Sequence, residues 1–145
     1  MNKSISLVYA AKIEQEDDAF VVTFRDLPNV FTQGDTYEEA LFNAQEALDI
    51  LCLDMANDDL AIVTPTPCKT GETPVTVSPD IAAPVLLHML RKLRHCTLTQ
   101  VAKVMNVSYQ SYQQIENGKN ITLKSLKKAA AALGATVQIT FNPIG

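Results

Sequence analysis

The sequence predicts an α+β domain followed by an all-α domain that ends in a strand. Two observations predict it, and a third marks the boundary between the halves. Runs of β-branched and aromatic residues fill positions 5–33, and an apolar period near 3.6 replaces them from residue 36. A Pro- and Thr-rich stretch interrupts the chain at 61–77, and short helical patterns follow it. The charge changes sign at the end of that stretch. Residues 1–77 hold 4 Lys/Arg against 14 Asp/Glu (−10), and residues 78–145 hold 8 against 2 (+6). The net charge of −4 conceals these two opposed halves. Such a division selects partners and association rates rather than folds.

The elements follow in order. Residues 5–13 and 19–24 read as two strands around the acidic turn Glu14–Asp18, which predicts an antiparallel hairpin. Leu27-Pro28-Asn29 is a bend, because Pro28 fixes its own φ and turns Leu27 away from helix. A short third strand at Val30–Gln33 precedes the Gly34-Asp35 turn. Thr36 and Glu39 have the spacing of a capping box, and Glu38 and Glu39 suit the positive end of a helix dipole. The helix they begin buries Ala40, Leu41, Ala44, Ala47, Leu48, Leu51 and Cys52, and ends near Asn57-Asp58. The stretch 61–77 reads as an extended connector with an edge strand at 61–63 or at 74–77.

Ser78 followed by Pro79 is a favoured helix start. Pro84 removes a backbone donor five residues later, which predicts a kink or a late start. Ile81, Val85, Leu86, Met89, Leu90 and Leu93 form the expected buried face, and Arg91, Lys92 and Arg94 suit the helix C-terminus. Three more helices are expected near 98–105, 109–117 and 123–133, the last closed by Gly134. The tail 135–141 alternates as a strand that places Val137, Ile139 and Phe141 on one face. An unpaired edge of that kind predicts pairing with a second copy, hence a homodimer or higher homo-oligomer.

The basic half carries a reader of nucleic acid. Thr97 and Gln100 cap a short helix, Ala102 gives the small side chain that a sharp helix crossing needs, and Asn106 suits a left-handed turn. Val107 is expected beneath that turn, and Ser108 caps the next helix. Tyr112 and Ile115 point to the core, which leaves Tyr109, Gln110, Ser111, Gln113, Gln114 and Asn117 for DNA. Amide side chains bond adenine edges, and Lys119 falls near the phosphates. Lys103, Lys124, Lys127 and Lys128 add charge without sequence information. The stretch Thr97–Gly134 resembles the phage-repressor helix-turn-helix at Ala102, Val107-Ser108, Ile115-Glu116, Gly118-Lys119, Leu123 with Leu126, and Ala132-Leu133-Gly134. Asn106 stands where such turns often carry Gly.

In the acidic half, Phe24-Arg25-Asp26-Leu27-Pro28, Thr32-Gln33-Gly34-Asp35-Thr36 and Glu38-Glu39-Ala40, with Ala44 and Ala47, resemble the HicB family of antitoxins over residues 5–60. The resemblance implies a partial ribonuclease-H-like fold. It also implies a partner, a HicA-type toxin that is a small basic mRNA-cleaving ribonuclease with an active-site His. The toxin-facing candidates are Asp26, Leu27, Asp35 and Glu38, and a surface of −10 would steer a basic partner. The expected function is thus a type II antitoxin that also represses its own operon at an operator in double-stranded DNA. The alternative is a stand-alone transcription regulator whose N-terminal domain senses a ligand or a protein. The corresponding domains are 1–60, a connector at 61–77, and 78–145.

Enzymatic chemistry is not expected. Asp17, Asp18, Asp26, Asp35, Glu38 and Glu39 are numerous enough for Mg²⁺, but most have local roles in turns or a helix start. His88, His95 and Cys96 read as packing or surface residues rather than metal ligands, and no cofactor is expected. The cysteines Cys52, Cys68 and Cys96 form no Cys-x-x-Cys pair, which fits reduced thiols in a cytoplasmic protein. No leader pattern or apolar run of about 20 residues is present, so no membrane association is expected.

Overall fold

The computed structural model describes residues 3–119 and 121–143. Two compact units divide the chain, residues 1–86 and 87–145. The first contains β1 (Val8–Glu16), β2 (Ala19–Phe24), β3 (Leu27–Gly34), the long helix α1 (Tyr37–Asn57) and β4 (Thr73–Thr76). These strands form an antiparallel sheet in the order β3-β2-β1-β4. The domain limits expected from sequence mark changes of composition, whereas the units are spatial. β4 therefore joins the sheet of the acidic half although it lies inside the Pro/Thr-rich stretch.

The hairpin β1–β2 is longer than the polarity of its turn implies. Glu14, Gln15 and Glu16 pair with Val21, Phe20 and Ala19, which leaves a two-residue turn at Asp17-Asp18 with Asp17 at φ 53°. A ladder requires backbone partners only, so polar residues join it when their side chains face solvent. β3 likewise begins at Leu27 and includes Pro28, which is tolerated because β3 is an edge strand. Of the two candidate positions in the connector, the one expected at 74–77 is a strand, with bounds Thr73–Thr76. Residues 61–63 form none, but the Val63 carbonyl accepts the buried Tyr9 hydroxyl.

The face formed by Tyr9, Ala11, Val22, Phe24 and Val75 is buried, and α1 lays Ala40, Ala44, Leu48 and Cys52 in the same core. Three of these four helix residues are no larger than Ala or Cys, which lets the helix axis approach the sheet closely. Burial pushes the Cys52 thiol up to about 11, so it packs as a small apolar group. The join between β3 and α1 depends on Gly34. A Cβ there would lie 2.4 Å from the Ala40 nitrogen and 2.8 Å from the Glu39 carbonyl carbon.

The second unit contains the end of α2 (Pro79–Leu93), then α3 (Leu98–Met105), α4 (Tyr109–Glu116) and α5 (Leu123–Ala132). α2 starts at Pro79 without the late start considered above, and Pro84 lies inside it, buried. Its buried set also differs from expectation. Leu93 is 57 % exposed, whereas Leu87, His88 and Arg91 are buried. The tail 135–143 pairs with no described strand of its own chain, and Phe141 is 89 % exposed.

Candidate DNA-reading helix and acidic helix

The three helices α3–α5 pack around Leu87, Val101, Ala102, Tyr112, Ala129 and Leu133. Ala102 is 3 % exposed, so the crossing has room for a methyl group and little more. Thr97 and Gln100 close both halves of a capping box on α3, through Gln100 N–H to Thr97 Oγ1 at 3.1 Å and Thr97 N–H to Gln100 Oε1 at 2.9 Å. α3 ends at Asn106, at φ 59° and ψ 43°, the left-handed conformation the turn requires. Val107 is 38 % exposed rather than sealed beneath the turn. It occupies the last position before Ser108, whose hydroxyl caps α4 by accepting the Ser111 N–H at 3.1 Å.

On α4, Tyr112 is fully buried, and this fixes which side faces outward. Tyr109, Gln110, Ser111, Gln114 and Asn117 are exposed, as is Lys119 beyond the helix. Gln113 is half-buried and stands at the flank of this face. Lys103 on α3 and Lys124, Lys127 and Lys128 on α5 are exposed. No acidic residue lies on the outward side, because the one carboxylate of the helix, Glu116, is turned inward.

Glu116 explains how α4 is held, and the periodicity of the helix gives no sign of it. Its carboxylate takes Arg91 Nη2–H at 2.8 Å and Nε–H at 2.9 Å, and the His88 Nδ1 lies at 3.2 Å. Both ionic partners are nearly sealed, with side chains 8 % and 7 % exposed. Burial alone would push the Glu116 carboxyl up. Hydrogen bonds from His88 and Arg91 and the Arg91 charge outweigh it and hold the group at about 2. Arg91 also donates to the Cys96 carbonyl at 3.1 Å, which ties the end of α2 to the start of α3. The Tyr112 hydroxyl beside this carboxylate makes no hydrogen bond of ordinary geometry among the described residues. Sequence reasoning gave Arg91 to the helix dipole. The usable signal was charge: Glu116 is the one carboxylate between residues 81 and 145, in a stretch with eight Lys and Arg.

In the first unit the toxin-facing candidates separate. Leu27 is 7 % exposed and belongs to the core. Asp26 accepts the Thr66 N–H at 2.7 Å and the Thr66 hydroxyl, which depresses its carboxyl below the usual range. The neighbouring Arg25 spans Glu72 through Nε–H at 3.0 Å and Nη2–H at 3.1 Å, and reaches the Pro67 carbonyl at 2.7 Å. Arg25 and Asp26 thus fasten the connector to the end of the β2–β3 hairpin, a role their adjacency in sequence did not disclose. Asp35 and Glu38 are exposed at the start of α1.

α1 is capped by Thr36, whose Oγ1 accepts the Glu39 N–H at 3.1 Å. Among the described residues, the reciprocal half of the expected capping box does not form, and Glu39 is exposed. Asp49 is occupied, since it accepts the Ser78 N–H at 2.9 Å and the Ser78 hydroxyl at 2.6 Å. Asp17 and Asp18 form the hairpin turn. Among the described residues no group of three His, Cys, Asp or Glu converges as a metal site. Among the described residues no helix is long and apolar enough to cross a membrane.

Comparison with known proteins divides the chain at the boundary of the units. A family model described as HicB-like antitoxin of bacterial toxin-antitoxin systems matches residues 8–86, and one described as helix-turn-helix matches 87–139. Antitoxin HicB 2 of Photorhabdus laumondii is 32 % identical over 137 residues, covering 94 % of this chain and 97 % of that protein. Antitoxin HicB 1 of the same organism is 34 % identical over 122 residues, 82 % of this chain and 76 % of the relative. Antitoxin HicB of Escherichia coli is 26 % identical over 125 residues, 85 % and 90 % respectively.

Proposed function

The chain belongs to the HicB-like antitoxins of bacterial toxin-antitoxin systems, and on that premise we propose that it binds and blocks a HicA-type mRNA-cleaving toxin and represses its own operon. The observation that carries the second half is the outward face of α4. Gln110, Gln114 and Asn117 are exposed with no carboxylate among them, and the same unit exposes Lys103, Lys119, Lys124, Lys127 and Lys128. Amides in that setting read base edges while the ammonium groups hold phosphates. The carboxylates of the first unit support the other half, as attraction for a basic toxin. Since Leu27 is buried and Asp26 is bound to Thr66, we place the toxin contacts at Asp35 and Glu38.

Three antiparallel strands, one helix and a fourth strand beside β1 agree with a partial ribonuclease-H-like domain used for binding. Phage-repressor modules occupy half-sites about one helical turn apart as dimers. We assign dimerisation to the tail, where Val137, Ile139 and Phe141 alternate with polar residues and are 40 %, 59 % and 89 % exposed. One experiment tests the reading. The gene is expressed with its neighbour, and the complex is purified and assayed on its own promoter DNA and on mRNA. Copurification of a small basic ribonuclease, silenced in the complex, together with specific promoter binding, is the expected result. A chain that binds neither would sink the reading.

A further inference from the structure

The outer side of α1 is unusual for a helix on a globular surface. Opposite the buried Ala40, Ala44 and Leu48 stand Phe42, Ile50 and Leu53, which are 64 %, 58 % and 39 % exposed. At spacings of eight and three they fall on one face. Glu46 lies between Phe42 and Ile50, one turn from each, and Glu38 and Glu39 sit one turn before Phe42, all three exposed. The helix contains five carboxylates and no Lys or Arg. Its flanking polar side chains are spent on the sheet, with Asn43 bonded to the Gln33 carbonyl at 2.9 Å and Gln45 to the Thr76 carbonyl at 2.8 Å. Outward positions of a solvated helix ordinarily carry charged side chains of both signs. Here they carry a large aromatic, two aliphatics and a rim of one sign.

We infer that this face of α1 is the docking surface for the toxin. Phe42, Ile50 and Leu53 would form its apolar centre, and Glu38, Glu39 and Glu46 its steering rim. The inference rests on the toxin-neutralising reading above and specifies where that partner sits. An interface core of aromatic and aliphatic anchors inside a charged rim is the usual anatomy of a protein-protein contact. The occupant follows from charge. A second copy of α1 would set carboxylate against carboxylate, and anionic lipid or nucleic acid would be repelled. A basic protein surface with an apolar hollow satisfies both parts, and a protein that binds mRNA is basic for its own reasons.

The test uses the full chain and the HicA-type toxin of the proposed reading, the latter with its active-site His replaced by Ala so that it can be produced. Binding is measured for the unaltered chain, for the triple variant Phe42→Ser, Ile50→Ser, Leu53→Ser, and for the double variant Glu39→Lys, Glu46→Lys. The triple variant should bind about 30-fold or more weakly, with its far-UV spectrum and operator binding unchanged. The double variant should associate more slowly and lose most of its salt dependence. Binding within threefold of the unaltered chain in both variants would overturn the assignment and leave the antitoxin reading standing. No toxin binding by the unaltered chain would overturn both. If the triple variant misfolds, the double variant decides alone. Loss of self-association in the triple variant with toxin binding intact would give the surface to a second copy, and the inference would be wrong.

Discussion

Lowering the pH should loosen the second unit by removing the charge of Glu116. The carboxyl sits at about 2 in the folded chain against the usual 4.5. A group depressed on folding adds stability above its unfolded value and loses it as pH falls through the folded one. The contribution should be complete above about pH 5 and mostly gone near pH 2. A depression of that size corresponds to about 3 kcal/mol. The substitution Glu116→Gln tests the same interaction at neutral pH, where it leaves the Arg91 guanidinium buried with a neutral partner. Breaking a sealed pair in this way costs about 3–5 kcal/mol. The readout is hydrogen exchange at the α3 and α4 amides, which isolates this unit from acid effects on Asp26 and Glu72 in the other. Exchange in the unaltered chain should accelerate by roughly a hundredfold between pH 5 and pH 2.5, after correction for intrinsic rates. In Glu116→Gln it should already be fast at pH 7 and should change little with acid. The paired variant Arg91→Met, Glu116→Leu should recover at least half of the loss, since apolar replacements leave no unpaired charge. A flat profile in the unaltered chain, or a cost below about 1 kcal/mol for Glu116→Gln, would refute the claim that this pair holds α4 in place.

Four further outcomes are expected. Gln110→Ala or Gln114→Ala should cost about 1–3 kcal/mol on the operator and relax base preference; equal loss on operator and random DNA, by gel shift, would remove them as readers. Lys119→Ala should weaken all sequences alike and reduce the slope of affinity against salt. Truncation after Gly134 should leave a folded second unit that sediments as a monomer and binds the operator weakly; full dimerisation would assign the tail another role. Gly34→Ala should destabilise the first unit by about 1–3 kcal/mol in urea melts, because the added methyl meets backbone rather than a side chain that can turn aside.

The order and type of the elements through α5 were legible because periodicity and capping are local, whereas the strand expected at 135–141 does not form within the single chain. Thr97 with Gln100, Ser108 and Asn106 each act within four residues, and each does in the structure what its type implies. What was not legible depends on residues far apart in sequence. Arg25 meets Glu72 across 47 positions and Arg91 meets Glu116 across 25. No window of sequence contains both members of either pair. Polarity misled in the same way at Glu14–Glu16, where a charged run was read as turn although its backbone belongs to a ladder. In α2, Leu93 fits the apolar period yet is exposed, while His88 and Arg91 break it and are buried. Ionic partners on α4 make burial of polar groups affordable there.

The same distinction governs the acidic half, and it determines how charge substitutions will behave. A net charge of −10 over residues 1–77 describes fourteen carboxylates that are not equivalent. Asp26, Asp49 and Glu72 hold Thr66, Ser78 and Arg25, so neutralising them releases connector or helix start. Arg25→Ala should act like them and loosen the backbone around the exposed Lys69, in the middle of the fastened segment, for trypsin. Cleavage there should speed severalfold while toxin affinity of the uncut chain changes little. Glu38, Glu39 and Glu46 are exposed on the outer side of α1, so neutralising them should lower melting only slightly, through the helix dipole at Glu38 and Glu39, and alter association. A panel of single Asp→Asn and Glu→Gln variants, scored for melting temperature and for toxin on-rate, should therefore fall into two groups with little overlap. If on-rate instead declines by the same amount for every carboxylate removed, attraction is a property of the whole domain and α1 has no special claim to the partner.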